Sequence, residues 1–64
     1  MNERVTSEWV KALRVKYELT QEQLAERVGT QRYLVSKWEN DKFRPSRLMS
    51  EKLLELEKNL SAQR

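Results

Sequence analysis

The chain has no cysteine, no histidine, a single glycine, a single proline and no long apolar run. Each absence removes a class of protein. Without cysteine there is no disulfide, and without cysteine and histidine the common zinc-ligand sets and the Ser/His and Cys/His nucleophile pairs are missing. Composition thus argues against a metalloenzyme or a hydrolase, and nothing in it asks for a metal or a cofactor. No stretch approaches the ~20 apolar residues that span a bilayer. Residues 1–5 mix both charge signs with no apolar segment, so no secretory leader is expected and the expected location is the cytoplasm, with no membrane partner. Two punctuating residues in 64 disfavour strands joined by tight hairpins and favour long helices. A chain of this length buries only roughly 60% of its unfolded surface. The expectation is one domain, residues 1–64, close to the lower limit for folding without staples.

What the sequence does have is charge, unevenly placed. Residues 1–26 carry four cations and five anions, residues 48–64 three of each, and residues 27–47 six cations against two anions. The whole excess, a local net charge of +4, lies in that middle segment: Arg27, Arg32, Lys37, Lys42, Arg44 and Arg47 against Glu39 and Asp41. A charge run is often no more than a solvated face, so its meaning depends on the elements that carry it.

Apolar spacing predicts four helices. The first covers about residues 7–17, capped by Thr6 or Ser7, with Val10, Leu13 and Tyr17 on one stripe. The second begins at Thr20 in a capping box with Gln23, buries Leu24, Ala25 and Val28, and stops at Gly29, which takes a left-handed backbone without a Cβ clash. The third is expected to be capped by Thr30 and to reach about Asn40. On it Leu34, Val35 and Trp38 form one narrow apolar stripe, and Arg32, Tyr33, Ser36, Lys37 and Asn40 occupy the opposite arc. Pro45 and Ser46 open the fourth, with Met49, Leu53, Leu56 and Leu60 at 4-3-4 spacing; residues 61–64 are expected to fray.

Two short helices separated by Gly29, residues 21–40, read QEQLAERVGTQRYLVSKWEN. This segment resembles the helix-turn-helix of the phage-repressor (Cro/CI, Xre-like) family. The likeness extends upstream through Leu13, Arg14, Leu19 and Thr20, and downstream through residues 42–46, covering roughly residues 10–56. Its positions have mechanical reasons: Ala25 is small where two helices cross, Gly29 makes the turn, and Leu24, Val28, Val35 and Trp38 close the core beneath it.

The resemblance implies an all-α, compact, lambda-repressor-like fold of four helices, or five. It implies a sequence-specific double-stranded DNA-binding transcriptional regulator, a repressor first of all, that acts without catalysis. Gln31, Arg32, Tyr33, Ser36 and Lys37 then stand at base-facing positions. Arg32 is suited to guanine O6 and N7, and Tyr33 either to a thymine methyl or to a phosphate. Gln21, Asn40, Lys42 and Arg44 match phosphate contacts; Arg27 and Arg47 are as readily solvated charges. Arg14 and Glu39 match an ion pair that orients the third helix on the first.

Three features depart from the family pattern. Asp41 stands where glycine is usual, Thr30 replaces an apolar turn residue, and a fifth helix is missing or merged into the fourth. In so small a chain Leu56 and Leu60, with Leu54, are expected to extend past the core and make a two-fold dimer contact. A homodimer would present two recognition helices about 34 Å apart to a palindromic operator. RNA polymerase or a toxin are further partners compatible with such a fold. The competing reading is an antitoxin-type or other protein-interaction module whose basic helical face meets an acidic partner. Against a general interaction patch stands the outward set of Gln31, Arg32, Tyr33 and Lys37, which combines hydrogen-bond forks with an aromatic where apolar anchors would be expected to dominate.

Overall fold

The computed structural model describes residues 5–63. Among these, all regular structure is helical: α1 Ser7–Lys16, α2 Gln21–Val28, α3 Arg32–Glu39 and α4 Arg47–Ala62.

Three helices start with a hydroxyl cap. Thr6 Oγ1 accepts from the Trp9 amide at 3.1 Å, Thr20 Oγ1 from Gln23 at 3.0 Å, and Ser46 Oγ from Met49 at 3.2 Å. The Gln23 side chain accepts in return from the Thr20 amide at 2.8 Å, which completes the capping box. At two of these starts an apolar residue precedes the cap and another lies four positions into the helix: Val5 with Val10, and Leu19 with Leu24. All four are buried, the arrangement of a hydrophobic staple.

The exits of α1, α2 and α3 share one geometry. Glu18, Gly29 and Asp41 take left-handed backbone with φ of 56°, 78° and 60°. The next amide then reaches back five residues: Leu19 to the Arg14 carbonyl at 2.8 Å, Thr30 to Ala25 and Lys42 to Lys37, both at 2.9 Å. These are Schellman closures, which satisfy carbonyls left over at a helix end. At Gly29 a Cβ would meet nothing within 4 Å, so backbone angle alone favours glycine there. Asp41 adopts the left-handed turn that glycine usually makes, and Glu18 does so with no glycine-like signal in the sequence.

Two boundaries differ from the sequence expectation. Thr30 does not cap α3. Its amide closes α2, and the next helix starts one residue later, with Gln31 as N-cap and no side-chain cap bond. Gln31 thereby keeps its side chain free for other partners. The tail expected to fray is helical through Ala62, tied by a 3.3 Å hydrogen bond between Tyr17 Oη and Ser61 Oγ; Arg64 lies outside the described residues.

One core joins the helices: Val5, Val10, Leu13, Leu19, Leu24, Ala25, Val28, Val35, Trp38, Leu53 and Leu60. α2 packs chiefly on α3, α1 also on α3, and α4 on α2. Leu60 corrects the expectation that it extends past the core. It is only 9% exposed because α4 runs back across the bundle to the end of α1. It is therefore not a free dimer contact; Leu54 and Leu56, half-buried against the same core, keep part of their surface open.

Candidate nucleic-acid interface

An eight-residue helix has too few hydrogen bonds to hold itself in water, so α3 depends on what its inner face grips. Val35 and Trp38 are buried there, and Leu34 packs against the core edge. Glu39 closes the grip. Arg14 on α1 donates from Nε to Glu39 Oε2 at 2.7 Å and from Nη2 to Oε1 at 3.0 Å. Its Nη1 donates to the Leu19 carbonyl at 3.2 Å. The bidentate fork fixes angle as well as distance. The Glu39 side chain is 5% exposed and that of Arg14 21%. The hydrogen bonds to Glu39 outweigh desolvation and, together with the carboxylate charge, raise the Arg14 pKa above its ordinary value.

Glu39 Oε1 also accepts from Gln21 Nε2 at 3.4 Å. One carboxylate therefore ties α1, the first residue of α2 and the last residue of α3. The Gln21 link was not legible in the sequence, since the two residues lie 18 positions apart and neither has a local pattern that pairs them.

The outer side of α3 is different. Gln31, Arg32, Tyr33, Ser36, Lys37, Asn40 and Lys42 line one open hollow of about 590 Å³. All five residues expected to face bases lie here, and two of the four expected to meet phosphate. Among the described residues, no carboxylate lines it. Asn40 Nδ2 donates to Ser36 Oγ at 3.3 Å, so those two side chains partly occupy each other. Gln21 lines a neighbouring hollow of about 430 Å³ with Arg14, Thr20, Glu22 and Arg32, and Arg32 borders both. Arg44 is exposed on the loop after α3 and lines neither.

Among the described residues Arg32, Lys37, Lys42 and Arg44 have no ion-pair partner. Arg47 pairs with Glu51 one turn along α4 at 3.5 Å, an exposed contact. Arg27 lies in a separate hollow with Lys52, Glu55, Leu56 and Asn59. The middle segment's positive charge thus divides: Arg32, Lys37 and Lys42 gather on one surface, and Arg27 and Arg47 do not line it. No helix among the described residues is long and apolar enough to cross a membrane.

A family model described as a helix-turn-helix domain matches residues 8–63, from the first turn of α1 to just past the end of α4. No curated protein and no solved structure matches the chain.

Proposed function

The chain belongs to the helix-turn-helix domain family, of the Xre/Cro-like kind, and from that premise we propose that it is a sequence-specific regulator of transcription that reads duplex DNA with α3. The observation that carries this reading is the hollow on the outer side of α3, where hydrogen-bonding forks, cations and one aromatic ring converge on a helix held from behind by the Arg14–Glu39 pair. An α-helix fits the major groove, and a helix-turn-helix brings the N-terminal residues of its second helix to the base edges.

In this reading Gln31, Arg32, Tyr33 and Lys37 meet bases, with Ser36 a weaker contact because Asn40 shares its hydroxyl. Gln21, Asn40, Lys42 and Arg44 meet phosphates on either side. Regulation is repression by occupying an operator and excluding polymerase. Two copies bind a palindromic site, joined through the open parts of Leu54 and Leu56 on α4, without Leu60.

Selection of bound sequences from a random duplex pool tests the proposal, with sedimentation of the free protein and of the complex. The expected outcome is a palindromic consensus bound by two chains. Binding with no sequence preference would refute the regulator; a single half-site bound by one chain would refute the dimer alone.

A further inference from the structure

Tyr33 is a large aromatic that the fold leaves 60% exposed. Its side chain makes no hydrogen bond and no ring contact among the described residues, so nothing in the domain's own packing accounts for it. It lines the α3 hollow and is the only aromatic among the described residues that does.

Its place on the helix narrows what it can meet. Taking Gln31 as zero and about 100° per residue, the buried stripe of Leu34, Val35 and Trp38 centres near 350°, so the outward direction is near 170°. Tyr33 falls at roughly 200°, within about 30° of it, whereas Arg32 and Lys37 fall at roughly 100° and 240°, at the two edges of the outer arc. In a groove ~12 Å wide, the rims are phosphates and the floor is base edges. Residues at the edges of the arc reach towards the rims or the outer base edges, and a first-turn residue at its middle faces the floor. The floor of the major groove is mostly donors and acceptors, and its one protruding apolar group is the C5-methyl of thymine. A ring flanked by cations, with no partner of its own, is complementary to that methyl and offers carbon surface where every neighbouring side chain offers donors.

We infer that Tyr33 is a specificity-determining residue that reads a pyrimidine C5-methyl group through its ring, and that its hydroxyl is not a phosphate anchor. This rests on the DNA-reading function proposed above and assigns a chemical feature to one position of the site.

The test uses the full chain and duplexes from the selection. Each conserved thymine is replaced singly by uracil, which removes the methyl and leaves pairing and O4 unchanged. Wild type is expected to lose about four-fold in affinity, the scale of one buried methyl, at one thymine of each half-site, and to regain it when that position carries 5-methylcytosine paired with guanine in place of unmethylated cytosine. Tyr33→Phe is expected to keep the thymine-over-uracil preference and Tyr33→Ala to lose it, both with unchanged helical circular dichroism. Should the alanine variant not fold, the uracil series on wild type and the phenylalanine variant decide the matter. A selected site with no conserved thymine, a wild type indifferent to uracil everywhere, or a phenylalanine variant weakened alike on all sequences would each overturn the inference. All three leave sequence-specific binding intact, whereas loss of all sequence preference in wild type is failure of the underlying function.

Discussion

On its inner side α3 buries Val35 and Trp38 and ends in a carboxylate whose two oxygens accept three hydrogen bonds from Arg14 and Gln21. On its outer side Arg32, Tyr33 and Lys37 are exposed, and their side chains have no hydrogen bond or ion pair among the described residues. The same eight residues therefore carry two separable tasks. Orientation is set from behind by apolar burial and one clamped ion pair, which frees the outer side chains from any part in stability. A polar face with no structural duty can be chosen entirely for what it touches.

If that division holds, changes on the two faces should separate cleanly. The largest effect is expected at Glu39→Ala, which leaves the mostly buried Arg14 with only the Leu19 carbonyl as a partner and no opposite charge. Breaking such a pair costs about 3 kcal/mol, against a total of about 3–10 kcal/mol for a domain of this size. The denaturant midpoint should fall steeply, and a small change would mean that α3 is held by its apolar face alone. Because the raised Arg14 pKa adds stability that is lost only as pH climbs through its folded-state value, above the ordinary arginine range, that contribution stays flat through neutral pH.

Next in size, Arg32→Ala is expected to cost about 1–3 kcal/mol of discrimination at one base position while shifting unfolding by no more than about 0.5 kcal/mol. Loss of stability there would show that the outer face is not free of structural duty. Smaller again, glycine at either left-handed non-glycine position should stabilise by about 0.5–1 kcal/mol, the balance of relieved Cβ strain against added chain freedom. Glu18→Gly should gain more than Asp41→Gly, since aspartate tolerates that region better. Asp41→Gly should also tighten DNA binding, because it removes a carboxylate beside Lys42. The smallest effect is expected at Glu51→Ala. Its exposed pair with Arg47 is worth under about 0.5 kcal/mol, and thermal melting that shows more would blur the contrast with Glu39.

Most of the scaffold was legible in the sequence because its signals are local. Thr20 with Gln23, Gly29 and the apolar stripes state where helices begin, end and face. Val5 escapes the apolar stripes because it precedes α1 and shares no helical periodicity, although its staple with Val10 is a local signal. Thr30 reads as a cap because a threonine before an apolar stripe is the usual signal, whereas in the fold its amide closes α2 and the cap position falls on Gln31, which carries no such signal. Leu60 was misplaced because the reach of the core depends on the path of α4 across the bundle, which no spacing encodes. In the candidate site, the outer arc of α3 followed from 3.6-residue periodicity, whereas the Gln21–Glu39 contact joins residues from two helices and becomes visible only once α2 and α3 are packed.

The central claim is that the outer face of α3 reads sequence while the surrounding cations only hold the backbone. It is tested most directly by titrating wild type, Arg32→Ala and Lys42→Ala against a selected duplex and a scrambled one at two salt concentrations. The account predicts that Arg32→Ala loses affinity for the selected duplex and little for the scrambled one, and that Lys42→Ala weakens both alike with a salt slope shallower by about one. Equal losses on both duplexes for both variants would contradict it.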